Sequence, residues 1–223
     1  MSQIKCIDLT KKYNITGEEA FYALDNVSLK IDAGEYIAVV GKSGSGKSTL
    51  MNMLGIIDSP TSGEAIINGR NILKLSENEK ASFRNKNIGY IFQSFYLEPS
   101  YTAYKNVEMP LLIAGVDKKL RKEMVLKAME DVGLSEKLKN RADELSGGEK
   151  QRVCIARALV NNPEIILADE PCGNLDSANT AEVMSLFDKF HSQGKTVVLI
   201  THSEEDARRS ERQILMKDGK IVK

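Results

Sequence analysis

The sequence predicts a mostly parallel α/β fold with an all-helical insertion between Gln93 and Arg157. Short apolar, strand-like segments alternate with helical segments along much of the chain, which is the pattern of a parallel sheet covered by helices. A glycine-rich loop at 41–48 stands between a predicted strand and a predicted helix. Strand-like character then disappears between 94 and 157, and helical patterns replace it. These observations favour one α/β unit that carries a helical insertion.

The amino-terminal part is predicted to contain five strands and one helix. The first two strands alternate apolar and polar residues, as half-buried strands do, whereas the third is apolar throughout and is expected to be buried. In chain order the strands are 4–9, 23–31, 36–40, 66–72 and 88–93, the helix is 48–54, and a polar turn is expected at 14–19.

The carboxyl-terminal part is predicted to alternate helices with buried strands. Gly194 provides a stop signal after one helix, and Asp218-Gly219 is typical of a hairpin turn. In chain order the elements are helices 119–132 and 153–160, strand 164–168, helix 178–191, strand 196–200 and a hairpin over 213–222.

The balance of charges limits the classes of partner. Lys plus Arg and Asp plus Glu each number 31, so the formal net charge is zero. A dedicated nucleic-acid binder depends on a surplus of cations that neutralise phosphates, so no nucleic-acid partner is expected. The 223 residues, of which 42% are apolar, fit a single domain over 1–223.

The distribution of apolar residues and cysteines indicates where the protein works. The longest apolar runs have the length of a strand, whereas a membrane-spanning helix needs roughly 20 such residues, so no span is predicted. The amino terminus has no secretory signal pattern. Three widely spaced cysteines, Cys6, Cys154 and Cys172, fit reduced thiols without a metal site. We therefore expect a cytoplasmic protein, or one on the cytoplasmic face of a membrane.

The glycine-rich loop predicts binding of a nucleoside triphosphate. Its glycines allow successive backbone N–H groups to face a phosphate, and the following helix adds a favourable dipole. Lys47 would supply positive charge to the β- and γ-phosphates, and Ser48 would offer its hydroxyl to Mg²⁺. The expected ATP-binding residues are Gly41, Lys42, Ser43, Gly44, Ser45, Gly46, Lys47, Ser48 and Thr49.

Polar side chains follow the two buried strands near the end of the chain. Asp169 and Glu170 come after the first, and His202 comes after the second. Open α/β sheets bind their ligands at the carboxyl ends of the strands, which favours a functional role for all three. The alternatives are two solvated acids at a strand end and a structural histidine.

A second glycine motif allows a more specific interpretation. This second motif, together with the glycine-rich loop, Asp169-Glu170 and His202, makes the chain resemble the ATP-binding cassette (ABC) ATPases over nearly its whole length. The motif is Leu145-Ser146-Gly147-Gly148-Glu149. The resemblance implies a RecA-like P-loop NTPase core with an antiparallel β subdomain and an inserted α-helical subdomain. It puts the catalytic core at about 1–93 and 158–223, and the helical subdomain at about 94–157.

The resemblance also implies roles for single residues. Glu170 would polarise the water that attacks the γ-phosphate, and His202 would contact the γ-phosphate and hold that water. Asp169 would orient Mg²⁺, and Gln93 would reach Mg²⁺ or the water. Tyr13 matches the aromatic residue that stacks on adenine, although a strand-edge tyrosine that packs on the sheet is the alternative.

The motif at 145–149 implies a dimer. Ser146, Gly147 and Gly148 open a helix and would present donors to a phosphate, as the first loop does. In the ABC ATPases two subunits pack head to tail, and each closes this motif over the ATP of its partner. Asp176, in Asn174-Leu175-Asp176, resembles the loop that crosses that interface. Cys172 is expected to be a small packing residue near the site, and a reactive thiol is the alternative.

Three further segments resemble one group of ABC ATPases, which contains the lipoprotein-releasing, macrolide-exporting and antimicrobial-peptide-resistance members. These segments are 23–29, 54–63 and 173–177. The group implies a separate membrane permease that contacts the segment 95–101, from Phe95 to Tyr101. The aromatic residues of that segment would otherwise pack inside the helical subdomain. A soluble ABC ATPase that acts in iron–sulfur assembly or on nucleic acid or ribosomes is the alternative function.

Overall fold

The computed structural model describes residues 2–14 and 20–222, and it divides into two compact units. Unit 1 comprises 1–81 and 194–223, and unit 2 comprises 82–193. Residues 15–19 of the predicted polar turn lie outside the described residues. The division into a core and a helical subdomain at about 94 and 157 stays a prediction. None of the helices in the described part of the chain combines the length and hydropathy needed to span a bilayer.

Unit 1 contains an antiparallel sheet and a mainly parallel sheet. The strands are β1 (Ser2–Tyr13), β2 (Phe21–Asp32), β3 (Tyr36–Val40), β4 (Ser62–Ile67), β5 (Arg70–Asn71), β8 (Thr196–Ile200), β9 (Arg212–Lys217) and β10 (Lys220–Ile221). The antiparallel sheet has the order β2-β1-β4-β5, and the four strands β10-β9-β3-β8 are neighbours in the second sheet. Strand β3 pairs in parallel with both β8 and β9.

The helices of unit 1 are few and short. Helix α1 (Lys47–Leu54) follows the glycine-rich loop, and α7 (Glu204–Ala207) follows β8. A short 3-10 helix occupies Ile72–Lys74. Helix α2 (Glu77–Asn87) contains the boundary between the two units.

Unit 2 is mainly helical, with two parallel strands. The elements of unit 2 are β6 (Ile88–Ile91), α3 (Ala103–Ile113), α4 (Lys118–Asp131), α5 (Gly147–Leu159), β7 (Ile165–Asp169) and α6 (Ser177–Ser192), with 3-10 helices at Ser135–Lys137 and Ala142–Glu144. Strand β6 pairs with β7 from Ile88 opposite Ile165 to Ile91 opposite Ala168. The predicted helical character of 94–157 is confirmed, apart from one isolated β-bridge between Thr102 and Arg141.

Several predicted boundaries differ from the structure. Strands β1 and β2 both extend further than 4–9 and 23–31. The strand predicted at 66–72 is a hairpin, in which Asn68 and Gly69 adopt positive φ and join β4 to β5. The helix predicted at 153–160 begins six residues earlier, at Gly147. The first turn of this helix consists of glycines and charged residues, so the apolar periodicity of the sequence predicts only its second half.

Three α-helices of the described chain have no individually predicted counterpart: α2, α3 and the four-residue α7. Helix α2 buries only Phe83 among otherwise polar residues, so its apolar periodicity is weak. The Ser-x-x-Glu spacing of Ser76 and Glu79 nevertheless marks its start in the sequence, since this is the pattern of a capping box. In the structure the backbone N–H of Ser76 donates to Glu79 Oε2 at 2.9 Å. Helix α3 contains Pro110, which is unfavourable in a helix interior, and begins at the N-cap Thr102.

A buried asparagine on α3 fixes the turn that precedes this helix. Asn106 Oδ1 accepts a hydrogen bond from the backbone N–H of Glu98 at 2.8 Å. Its Nδ2 lies 3.2, 3.4 and 3.2 Å from the carbonyl oxygens of Glu98, Tyr101 and Thr102. The side chain is almost fully buried, so these hydrogen bonds satisfy main-chain groups that have little access to water.

We expect Asn106→Ala to lower the free energy of unfolding by about 1–3 kcal/mol, because it leaves buried main-chain groups without partners. Urea unfolding followed by circular dichroism measures this change. Asn78→Ala is the matched control, since Asn78 is an exposed asparagine on α2, and it should change stability by less than about 0.5 kcal/mol. Equal effects of the two substitutions would contradict the role of Asn106.

The beginning of α5 is held by a capping box and an ion pair. Ser146 Oγ accepts from the backbone N–H of Glu149 at 3.2 Å, and the Ser146 N–H donates to Glu149 Oε2 at 2.8 Å. The other carboxylate oxygen of Glu149 lies 2.9 Å from Lys137 Nζ, and the Glu149 side chain is 18% exposed. The hydrogen bonds from Lys137 and from the Ser146 backbone lower the pKa of Glu149 from 4.5 to about 2.

This depressed pKa makes the stability of the α5 start depend on pH. A carboxylate with a lowered pKa in the folded state stabilises that state above its unfolded pKa, and loses the effect as pH falls through its folded pKa. We therefore expect Glu149→Gln to be less stable than the natural chain at pH 7. The difference should shrink as pH falls from 4.5 to about 2.

Urea unfolding at several pH values between 7 and 3 checks this expectation. Lys137→Met removes the ion pair but keeps the capping box. In this background, the effect of Glu149→Gln on the free energy of unfolding should depend less steeply on pH, but it should still depend on it. A stability difference for Glu149→Gln that stays constant across this range would show that the carboxylate charge is irrelevant.

Candidate nucleotide-binding site

The glycine-rich loop connects β3 to α1 in the conformation that its glycines allow. Gly46 is the N-cap of α1 and has a φ of 99°, a value that side-chain-bearing residues rarely adopt. A Cβ atom at Gly46 would lie 2.3 Å from the carbonyl oxygen of Ala23. Among the described residues, no side chain caps α1. A helix start of this kind suits an anion, because the helix itself provides no acceptor for its first N–H groups.

The side chains of the loop suit a phosphate group. Lys47 is buried, and its Nζ donates to the carbonyl oxygens of Gly41 and Lys42, each at 2.9 Å, so the ammonium lies against the loop itself. Ser45 Oγ is buried and has no hydrogen-bond partner within the described chain. A phosphate oxygen would satisfy that hydroxyl. The predicted residues at the rim are Lys42, Ser43, Gly44 and Ser48, which are exposed, and Thr49, which is half-buried.

His202 lies near the first glycine of this loop. Strands β3 and β8 run in parallel, with Val39 opposite Ile200, so the segments that follow them leave the same edge of the sheet. Gly41 and His202 both line one cavity of about 310 Å³. The next residue, Ser203, caps α7, because its Oγ accepts from the backbone N–H of Asp206 at 3.2 Å.

Tyr13 is the last residue of β1, four residues beyond the predicted end of that strand. It is 42% exposed, so its ring offers surface to a ligand. Its hydroxyl lies 3.3 Å from Asp58 Oδ2, and Lys11 Nζ lies 5.1 Å from its ring centroid.

In unit 2, Asp169, Glu170 and Gln93 lie at the carboxyl ends of two neighbouring parallel strands, β7 and β6. Asp169 ends β7, Glu170 follows it, and Gln93 lies two residues after the end of the neighbouring β6. The loop after Glu170 returns to Gln93. Asn174 Nδ2 donates to the Gln93 carbonyl oxygen at 3.1 Å, and a Cβ atom at Gly173 would lie 3.1 Å from Gln93 Nε2.

Glu170 has a strained backbone. Its φ is 48°, in the left-handed region that residues other than glycine, asparagine and aspartate seldom occupy. The turn that follows is closed by a hydrogen bond of 3.1 Å from the Gly173 N–H to the Glu170 carbonyl oxygen. Such strain is frequent at functional sites, where the surrounding structure maintains it.

The start of α5 offers a second set of hydrogen-bond donors. The Ser146 hydroxyl uses its oxygen to cap the helix, so its proton remains a donor. The N–H groups of Gly147 and Gly148 belong to the first turn, where an α-helix provides no partner. A Cβ atom at Gly147 would meet only Leu175 Cδ2, at 3.9 Å, so little covers this position.

Asn179 connects this helix start to Asp176. The Asp-x-x-Asn spacing is the one signal in the sequence that indicates this connection. Asp176 caps α6 by accepting from the Asn179 N–H at 2.8 Å, and Asn179 Nδ2 donates to both carboxylate oxygens at 3.0 and 2.9 Å. The Asn179 side chain occupies the space next to Gly148, since a Cβ atom at Gly148 would lie 1.7 Å from Asn179 Oδ1. Gly148 is therefore required by packing.

Comparison with known proteins identifies the family. The family model described as ABC transporter matches residues 24–173, more than half of the chain. The chain is 44% identical to the uncharacterized ABC transporter ATP-binding protein YvrO of Bacillus subtilis, over 96% of this chain and 93% of that protein. It is also 44% identical to the macrolide export ATP-binding/permease protein MacB of Hyphomonas neptunium, over 98% of this chain but only 34% of that longer protein.

Solved structures agree with this family. The dimeric structure of MJ0796, a bacterial ABC transporter cassette, matches with a TM-score of 0.91 and 43% identity, over 99% of this chain and 97% of that one. A dimeric post-hydrolysis state of the same cassette, bound to ADP and Pi, matches with a TM-score of 0.91 and 42% identity, over the same shares. The predicted fold class is thereby confirmed. The chain belongs to the ABC transporter family, and it is an ATP-binding cassette that hydrolyses ATP.

Proposed function

We propose that two copies of this chain close head to tail around two Mg-ATP molecules and thereby drive a separate membrane permease. The observation that carries this proposal is the presence in one chain of two helix starts with glycine-rich motifs, at α1 and at α5. Each suits a phosphate group. The MJ0796 structures are dimeric, which supports an arrangement of two copies. In the arrangement that we propose, the α5 start of one copy serves the ATP of the other.

The residues of the glycine-rich loop would bind the triphosphate. Gly41 to Thr49 would surround the phosphates, with Lys47 neutralising charge and the Ser45 hydroxyl gaining the partner that it lacks. Ser48, Asp169 and Gln93 carry the oxygen atoms that Mg²⁺ prefers and would hold this ion. When bound, Mg²⁺ neutralises the phosphate charge that develops during transfer.

The chemical step would depend on Glu170 and His202. The Glu170 carboxylate would polarise the attacking water, a contribution typically of about 10²–10⁴ in rate. His202, which shares a cavity with Gly41, would hold the γ-phosphate and the water. The strained backbone of Glu170 favours this role, because such strain is frequent at functional sites. The turn that follows Glu170 maintains this conformation through the hydrogen bond from Asn174 to the Gln93 carbonyl oxygen.

We expect Glu170→Gln to bind ATP, to lose hydrolysis, and to accumulate as a dimer under saturating Mg-ATP. Light scattering after gel filtration measures the dimer, and phosphate release measures hydrolysis. The variant keeps the size of the side chain but removes the charge that activates water, so the closed state should persist. A Glu170→Gln protein that stays monomeric with saturating Mg-ATP would contradict the proposed dimer.

Ser146→Arg in the Glu170→Gln background is the matched comparison. The arginine would fill the open start of α5 without altering the glycine-rich loop, so ATP should still bind while the dimer is lost. Dimerisation of the double variant would show that the α5 start does not contact the ATP of the partner copy.

A groove in unit 2 is the proposed docking site for the permease. Tyr96 is 69% exposed and lines a cavity of about 570 Å³ together with Met109 and Ile113 of α3. The exposure of Tyr96 supports this docking site over the alternative that the residue packs inside the helical subdomain. Tyr101 is 41% exposed, and Phe95 is half-buried.

The main chain of this groove is held by α5. Arg157 donates to the carbonyl oxygens of Tyr96 and Phe95 at 2.5 and 3.0 Å, and Cys154 Sγ lies 2.9 Å from the latter oxygen. Tyr96 adopts a φ of 46°, so these hydrogen bonds maintain an unfavourable backbone conformation. Any movement of the α5 start, at Ser146, would therefore be transmitted along one helix to the groove.

We infer that a cytoplasmic helix of a membrane permease occupies the groove, with this chain on the cytoplasmic face of the membrane. The argument comes from the MacB relative, in which the cassette makes up about a third of a protein that also contains the permease. An amphipathic helix would place its apolar residues against Tyr96, Met109 and Ile113. Export or mechanotransmission of a macrolide-type, lipoprotein-type or antimicrobial-peptide cargo is the transport activity that we propose.

Affinity purification of tagged Glu170→Gln from detergent-solubilised native membranes, with Mg-ATP and mass spectrometry, tests the permease. We expect a membrane permease with a large external domain to co-purify. Ile113→Glu, which charges the groove, should abolish this association and leave ATP-dependent dimerisation intact. Leu126→Glu on α4 is the control, since Leu126 is exposed but lies outside the groove. Recovery of soluble partners alone would favour the non-transport alternative in iron–sulfur assembly or on nucleic acid or ribosomes.

A further inference from the structure

A charged cluster in unit 1 surrounds the ring of Tyr13. Lys11 Nζ lies 2.8 Å from both Oδ1 and Oδ2 of Asp58, and it also donates to the carbonyl oxygen of Ser59 at 2.8 Å. The Lys11 side chain is only 13% exposed, although Tyr13 beside it is largely open. An ion pair with this degree of cover and a third hydrogen bond holds its geometry better than a fully exposed pair.

The cluster touches Tyr13 at two points. The tyrosine hydroxyl donates to Asp58 Oδ2 at 3.3 Å, and the Lys11 ammonium lies 5.1 Å from the ring centroid, within the range of a cation–π contact. One contact fixes the tip of the side chain, and the other fixes the ring. An exposed tyrosine without such contacts would rotate between rotamers, and ligand binding would have to order it.

The protonation states suit this arrangement. Burial raises the pKa of Asp58, but the hydrogen bonds from Lys11, the Ser59 N–H and Tyr13 outweigh burial, so its pKa lies below the ordinary value. Burial and the Asp58 charge raise the pKa of Tyr13, so the phenol keeps its proton and donates it to Asp58. The hydrogen bond and the ion pair therefore coexist at neutral pH.

Asp58 also connects Tyr13 to the helix that follows the glycine-rich loop. The chain turns after α1, where the N–H groups of Ile57 and Asp58 donate to the Asn52 carbonyl oxygen at 2.9 and 3.3 Å. The eight-residue helix α1 therefore lies between the glycine-rich loop and the turn that contains Asp58.

We propose that Asp58, paired with Lys11, is a positioning residue that orients the Tyr13 ring for stacking on the base of the bound nucleotide. This inference rests on the role given to Tyr13 in the proposed function, and it adds two residues that do not themselves contact the nucleotide. A ring that is already oriented loses less conformational freedom on binding, so the base binds more tightly.

Titration calorimetry with ATP and with inorganic tripolyphosphate tests the proposal, because tripolyphosphate has no base. We expect Asp58→Asn to weaken ATP by about threefold to tenfold, a part of the stacking contribution, and to leave tripolyphosphate unchanged. Tyr13→Phe, which keeps the ring and removes the hydroxyl, should give a similar loss. The double variant should be no weaker than either single one, since both act through one contact.

Asp32→Asn is the matched control. Asp32 pairs with Lys30 at 3.0 Å on β2, in the same sheet as Tyr13, and should not change ATP affinity. Lys11→Met provides an independent test from the other side of the pair, should Asp58→Asn fail to fold. Circular dichroism establishes that each variant is folded before titration.

The outcomes separate this inference from the proposed function. If Tyr13→Ala weakens ATP relative to tripolyphosphate and neither Asp58→Asn nor Lys11→Met does so, the positioning role is wrong and the role of Tyr13 stands. If Asp58→Asn weakens both ligands equally, Asp58 acts on the phosphate loop and the inference is overturned. If Tyr13→Ala changes neither ligand, the base-stacking role of Tyr13 fails and the inference fails with it.

Discussion

The starts of two helices, where the helix itself provides no acceptor for its first backbone N–H groups, are the constraint on which this structure depends. An α-helix cannot satisfy the donors of its first turn, and here the sequence keeps side chains away from them. At α1 the N-cap is Gly46, which no larger residue could replace beneath Ala23. At α5 the N-cap is Ser146, which binds only the N–H of Glu149 and leaves those of the two glycines open. The strands β3 and β8 and the side chain of Asn179 serve to hold these two helix starts in place.

The parts of the fold that the sequence predicted well are those with strong local signals. Strands β3 and β8 match their predicted bounds, because β3 is apolar throughout and β8 is apolar after Thr196. Helix α1 was placed by the glycines before it, and the hairpin of β9 and β10 by Asp218-Gly219, both of which adopt the positive φ of a tight turn. The residues that we propose for the chemistry were predicted from motifs, whose spacing reflects how a loop surrounds a phosphate.

The parts that were missed depend on contacts between residues far apart in the sequence. Nothing local to Asp58 indicates that Lys11, 47 positions earlier, will pair with it. Nothing local to Asn179 indicates the glycine against which it packs. Helix α2 illustrates a different limit, since its capping signal at Ser76 is present but its apolar face consists of Phe83 alone. The left-handed backbone of Tyr96 results from the hydrogen bonds of Arg157 and has no signature in its own residue type.

The hydrogen bonds from Arg157 and Cys154 to the groove have an evolutionary consequence. Both side chains bind carbonyl oxygens of the main chain, and every residue type provides a carbonyl oxygen. The side chains at positions 95 and 96 can therefore diverge without weakening the connection to α5. Under the proposed docking of a permease at this groove, a lineage could exchange these two side chains to suit a different permease without altering the hydrogen bonds to α5. Recognition of the partner and its mechanical connection to α5 would then be separable properties of one groove.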